Sequence, residues 1–236
     1  MTETESVTAR AAELEAQQRH ARHAKIDRAF AVLLIIQWIA AIAGALWLSP
    51  YAWAGKEKVL HVHVWVALLG GAGITLLPVL LAIFRPGWII TRHVIAASQM
   101  LSSALLIHLT GGRIETHFHV FGSLAFLAFY LDWPVLITAT IVVAADHFLR
   151  GIYWPESVYG IANPEWWRFL EHAGWVAFCD TFLIWGCILG RRESAAAMTK
   201  QAEVEYLQEQ EQLKTAALEM AMAEMSVSWR PKQQGA

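Results

Sequence analysis

Histidine, aspartate and glutamate recur at the ends of long apolar runs in this chain, and imidazole with carboxylate is a donor set that holds transition metals. Of ten histidines, His61, His63, His108, His117, His119, His147 and His172 fall at one end of the predicted helices, with Glu115, Asp146, Glu171 and Asp180 beside or beneath them. The densest segment is Gly111-Gly112-Arg113-Ile114-Glu115-Thr116-His117-Phe118-His119, a two-glycine turn leading into Glu-x-His-x-His. In a regular helix, residues two apart point about 200° apart, so His117 and His119 reach one ion only where the backbone is irregular. Otherwise one member of each His-x-His pair, here and at His61-Val62-His63, serves in an outer shell or faces away. Adjacent residues diverge by about 100°, so Asp146-His147 and Glu171-His172 are not side-by-side clamps; their carboxylates orient ligands or serve another helix. A single imidazole at a helix end also simply solvates there. Seven in one layer is a different matter, because ionisable groups in a membrane are costly and normally mark function. The predicted metal-ligating set is His61, His63, His108, Glu115, His117, His119, Asp146, His147, His172 and Asp180.

The elements that must position these groups follow from the apolar runs, since a bilayer core demands roughly 20 apolar residues per helical crossing. Six can be read: 29–48, about 59–84, about 89–109, two halves of 117–149 broken at Asp132-Trp133-Pro134, and about 166–190. The break is a helix stop and restart, and both halves are short for a crossing. Asn163 and Pro164 predict the cap and first turn of the last helix. Arg19, Arg22, Lys25 and Arg28 precede the first run, Arg85 and Arg92 join the second and third, and Arg191, Arg192 and Lys200 follow the sixth. The opposite loops hold fewer basic residues, which places both termini in the cytoplasm and all seven histidines in the outer leaflet. A soluble fold is excluded by 56% hydrophobic residues, twelve Trp and runs too long for a globular core. Nothing in the charge pattern points to nucleic acid.

The expected fold is therefore all-α: a cytoplasmic segment 1–28, a membrane bundle of about six helices over 29–190, a cytoplasmic helix 191–228 and a flexible tail 229–236. In the cytoplasmic helix Ala195, Ala202 and Ala216 recur in seven-residue phase with Thr199, Tyr206, Leu213 and Met220 in the complementary phase. Glu209 spoils one core position, so the pattern is a weak coiled coil able to join two copies, or a solvated single helix. Ser98, Gln99, Ser102 and Ser103 are expected to hydrogen-bond neighbouring helices. Cys179 and Cys187, eight apart on one helix, cannot form a disulfide and read as packing residues; Cys179, seven after His172, shares its face.

The stretch from Arg92-His93-Val94 to Trp175, above all GGRIETHFHVFGSLAFLAFYLDW and VVAADHFLRGIYWPESVYG, resembles the multi-helix membrane input region ahead of bacterial sensor histidine kinases, diguanylate cyclases and chemotaxis transducers. The resemblance covers about the central third of the chain. It implies a sensory module with a cytoplasmic output, and by motif position it carries over His108, Glu115, His117, His119, Asp146, His147 and His172. No kinase, GGDEF-type or methyl-accepting domain follows the linker, so the expectation is a fragment of a longer protein or a separate cytoplasmic signalling partner. The leading reading is a sensory input module in the bacterial inner membrane, with no catalytic domain of its own. Its histidine layer would hold non-haem iron, zinc or copper, with haem as the alternative. The rivals are a membrane di-metal oxidase or hydroxylase acting on a lipid-soluble substrate, and proton or ion transport along the buried His and Asp residues. Against transport, the inner half shows no polar path beyond His93.

Overall fold

A computed structural model describes residues 2–228; the tail expected at 229–236 lies outside them. The described residues form helices joined by short turns and one β-hairpin, and they divide into two units, one of residues 18–192 and one combining 2–17 with 193–228. Helix α1 spans Glu3–Leu48 and ends before Pro50, which cannot continue it. Strands β1 (Tyr51–Ala54) and β2 (Glu57–Leu60) pair antiparallel about Gly55. Helix α2 covers Val62–Phe84, with a π-turn at Val66–Gly70, and α3 covers Ile89–Leu109. Helix α4 is Ile114–Leu127, continued by a 3-10 turn at Ala128–Tyr130. The expected break at Asp132-Trp133-Pro134 is present: Leu131 takes a left-handed conformation and α5, Trp133–Tyr153, starts with Pro134 in its first turn. A one-turn α6, Glu156–Tyr159, leads to α7, Arg168–Ser228. That last start corrects the expected cap at Asn163, because the Trp167 carbonyl instead accepts the first amides, from Leu170 and Glu171.

Five helices, α1, α2, α3, α5 and α7, are long and apolar enough to cross a membrane. The fourth of the six expected runs is α4 with its 3-10 turn, 17 residues from 114 to 130, near the lower limit of about 17 for a crossing. It nevertheless runs from one end of the unit to the other, from His117 among the end histidines to Tyr130 on the opposite side. Apolar side chains cover the outside of the unit, among them Ile36, Ile39, Leu69, Leu76, Ile83, Ile141 and Phe182. Such a surface is compatible with a membrane protein and costly in water.

Helix α3 lies in the core, where Ile95, Met100 and Ile107 pack with Leu124, Leu127, Leu136 and Val143 of α4 and α5. Of the four interior polar residues expected to bond neighbouring helices, two reach α4: Gln99 Nε2 donates to Ser123 Oγ at 2.9 Å, and Ser103 Oγ meets His119 Nδ1 at 2.8 Å. At the end away from the clustered histidines, Asp27 is fully buried and accepts from the Tyr130 hydroxyl and the Gly87 amide, each at 2.6 Å. These bonds tie the α2–α3 turn and the end of α4 to α1. Burial pushes the Asp27 carboxyl above its usual range, against the pull of Tyr130, Gly87 and Arg92. Beside it Arg92 pairs with Asp132 at 2.6 Å.

His23, also ahead of the apolar run of α1, donates from Nε2 to the Tyr130 carbonyl at 3.1 Å. Burial first, then Arg92, pushes its imidazole down to about 4, with Asp132 opposing and Arg19 adding to the depression. The unfolded chain therefore takes up this proton first, so the stability contributed by neutral His23 is present above about pH 6.5 and is lost as the pH falls towards 4. Thermal unfolding should show the wild type dropping relative to His23→Gln across that window. Parallel curves would exclude His23 as the cause.

The unit of residues 2–17 and 193–228 joins the two ends of the chain. Arg10 Nε pairs with Glu205 at 2.8 Å, and Leu14 and Ala202 are buried. Part of the alanine phase of the expected coiled coil is thus covered by the chain itself, while Leu213 and Met220 of the complementary phase are 58% and 64% exposed.

Candidate functional site

The histidine end is built by the starts of α2, α4 and α7 and the ends of α3 and α5, which bring the seven predicted imidazoles into three separate groups. The first is His117 of α4, His147 of α5 and His172 of α7. Their ring centres stand 5.5 Å (117 to 147), 5.3 Å (117 to 172) and 6.0 Å (147 to 172) apart.

All three share one anchoring device. His117 Nδ1 lies 2.9 Å from the Arg113 carbonyl, His147 Nδ1 3.1 Å from Val143, and His172 Nδ1 3.0 Å from Arg168, in every case four residues back on the same helix. A carbonyl only accepts, so each Nδ1 carries a proton, and in the neutral ring Nε2 then keeps its lone pair. His117 Nε2 is buried without a hydrogen-bond partner. Fixing the tautomer by an outer hydrogen bond is the usual support of a ligand imidazole. Three imidazoles about one tetrahedral ion keep ring centres roughly 5 Å apart for metal–nitrogen distances of about 2.1 Å. The observed triangle is wider, and among the described residues no group of three or more His, Cys, Asp or Glu side chains stands in an arrangement that could hold a metal ion.

Asp146 Oδ2 lies 3.3 Å from His147 Nδ1 and receives two bonds from Arg150, at 2.8 and 2.5 Å. Arg150 also donates to Ser157 Oγ at 2.7 Å, and the Tyr159 ring stacks edge-on against His172 at 5.5 Å. The α3–α4 turn sets this frame. Gly111 and Gly112 close α3 with amide bonds to the His108 and Ile107 carbonyls, at 3.0 and 2.9 Å, a Schellman cap that needs positive φ. A Cβ on Gly112 would stand 2.3 Å from the Gly160 amide nitrogen, so glycine also permits this turn to meet the end of α6.

The second group is His61, His63 and His108. Ring centres are 4.3 Å apart for the first two and 5.0 Å for His63 and His108, and Trp154 lies against His108 at 4.7 Å. Here the nitrogens are used otherwise. His61 Nδ1 accepts the His63 amide as the cap of α2 at 3.1 Å, His63 Nδ1 meets Ser49 Oγ at 2.8 Å, and His108 Nδ1 meets Ser157 Oγ at 2.9 Å. His119 forms the third group alone, with Ser103 on one ring nitrogen and Gln37 on the other at 3.1 Å. The divergence of His117 and His119 is what a regular helix requires.

Of the predicted carboxylates, Glu115 is exposed and pairs with Arg113 at 3.3 Å. Asp180 lies deeper, where Oδ2 accepts the Thr140 hydroxyl and Oδ1 is buried without a partner. Cys179 and Cys187 are free thiols. Arg150, Ser157 and Tyr159 were not singled out as site residues from the sequence. The four-residue spacing of Asp146 and Arg150 was the signal for the first.

No family model matches the chain, and no solved structure matches it. Among curated proteins, the transducer protein Htr8 of Halobacterium salinarum is similar, 36% identical over 81 residues. The match covers 32% of this chain and 13% of that transducer. It supports a chemotaxis-transducer-like kind and a role in signal transduction.

Proposed function

We propose that this chain is the membrane-embedded sensory input module of a signalling system, in which His117, His147 and His172 hold one transition-metal ion. The observation that carries this reading is the placement of His172 in the second turn of α7, a helix that continues without interruption to Ser228. A change at the ion acts on the head of the same helix that leads to the output segment, and a continuous helix transmits a shift or rotation. The Htr8 likeness supports the signalling role; the shared tautomer of the triad supports the metal.

The donor chemistry narrows the ion. With Asp146 bound to Arg150 and Glu115 to Arg113, the triad is an all-imidazole set, which favours zinc or copper over the two-histidine, one-carboxylate pattern of non-haem iron. Haem would use one or two of the three imidazoles and leave the rest unexplained. When bound, the ion supplies a Lewis-acidic centre with one open position; the chain's residues hold it, orient the imidazoles and shield it on the apolar side. In this reading the bundle sits in a cell membrane with both termini cytoplasmic, and copies pair through the exposed Leu213 and Met220 phase of α7. The signal passes to a cytoplasmic output, carried on a longer chain or on a separate protein.

The test is amide hydrogen exchange over residues 193–228 with and without zinc or copper. Exchange should change several-fold in that segment, and a cysteine at Leu213 should crosslink between copies with an efficiency that depends on the metal. Exchange unaltered by bound metal would overturn the sensory reading.

A further inference from the structure

Residues 2–17 of α1 meet α7 within the unit that the two segments share. Arg10 pairs with Glu205 at 2.8 Å, and each is held by a neighbour on its own helix, Arg10 by Glu13 at 2.9 Å and Glu205 by Gln201 at 2.9 Å. One turn away from each partner stand Leu14 and Ala202, both buried. The face around them keeps helical spacing: Val7 on α1, with Ala195 and Tyr206 on α7, is partly buried. On α7 this covering is local, for every side chain from 211 to 226 is exposed, Leu213, Leu218 and Met220 among them.

The two apolar phases of α7 are therefore in different states. A two-stranded coiled coil uses both phases of its heptad at once. The phase of Leu213 and Met220 is open, whereas Ala202 of the other phase is only 1% exposed, so no second chain can touch it while α1 is in place. The hold of α1 is slight. An ion pair at the surface contributes little, and among residues 2–17 Leu14 alone is fully buried.

We infer that residues 2–17 are an intrachain cover on the α7 seam, which competes for that seam with the α7 of a second copy. This rests on copies pairing through α7, as proposed above. With the cover in place, two copies meet only along 211–226; with it lifted, their seam extends back through Ala202. The cover thus sets the length of the joined segment, and it is a contact that a signal can open or close.

The experiment uses the full chain in proteoliposomes, with Cys179→Ala and Cys187→Ala as background and a single Ala202→Cys or Leu213→Cys. With α1 unaltered, the thiol at position 202 should react slowly with a water-soluble maleimide and crosslink poorly between copies, while the thiol at 213 crosslinks readily. Leu14→Gln removes the buried apolar contact and should raise both labelling and crosslinking at 202 roughly tenfold. Arg10→Glu sets two carboxylates against each other and should raise both about threefold; adding Glu205→Arg should reverse the increase. Labelling that rises without crosslinking at 202 would overturn the inference, since the cover would then lift and no second copy would replace it. Labelling at 202 that changes in neither variant would overturn it too. Crosslinking that falls at both positions would make α1 a member of the joined assembly instead of its competitor. No crosslink at 213 in any variant would instead remove the pairing of copies, and this inference with it.

Discussion

Replacing His147 by Ala is expected to lower the affinity for zinc or copper by at least about a hundredfold, while the protein still inserts and unfolds cooperatively. Loss of an outer hydrogen-bond partner of a ligand typically costs 10–100-fold in metal affinity, and loss of the ligand itself costs more. His147 suits the test because its ring is buried and doubly oriented, by the Val143 carbonyl at 3.1 Å and by Asp146 at 3.3 Å. Arg150→Gln should cost less, in the 10–100-fold range, by releasing Asp146 from its bidentate partner. His119→Ala and His63→Ala separate the triad from a general histidine effect. Both lie outside the triangle, with ring nitrogens bonded to Ser103 and Gln37 or to Ser49, and both should retain the ion. Competition against a chromophoric chelator reads all four variants. Equal losses in His147→Ala and His119→Ala would deny the triad its special place.

The largest loss of stability is expected at the opposite end, from Asp27→Ala. Asp27 holds two buried donors, the Tyr130 hydroxyl and the Gly87 amide, each at 2.6 Å. A hydrogen bond to a charged group contributes about 1.5–3 kcal/mol, and removing the acceptor leaves both donors unsatisfied. The sum is about 3–5 kcal/mol, a large share of the 5–15 kcal/mol that typical domains possess. Tyr130→Phe removes one donor and keeps the Gly87 bond, so about half that loss is expected. Unfolding titrations in mixed micelles measure both. An Asp27→Ala protein as stable as the wild type would mean that the network is not what binds the α2–α3 turn and the end of α4 to α1.

Much of this architecture was legible in the sequence because membrane crossings demand long apolar runs and prolines mark their breaks. Asp132-Trp133-Pro134 announced the start of α5 correctly. Asn163-Pro164 did not announce α7, because a cap-like pair is a local signal and the turn at 165–168 intervenes before the helix begins. The ten-residue hairpin from Tyr51 to Leu60 was too short to show a period against the apolar runs on either side. For the site, the sequence placed the histidines at one end but not around its circumference. Which imidazoles meet depends on which helices are neighbours, and that is set by packing among α3, α4, α5 and α7. The divergence of His117 and His119 was readable from helical geometry alone. The common Nδ1 anchoring was not, because it depends on the rotamer each side chain adopts.

The most direct test of the central claim is elemental analysis with an optical spectrum on untagged, detergent-purified protein from metal-supplemented cells. About one zinc or copper per chain is expected, with no haem absorption band and with loss of the metal in His147→Ala but not in His119→Ala. Folded wild-type protein without stoichiometric metal, or with an intense haem band, would contradict it.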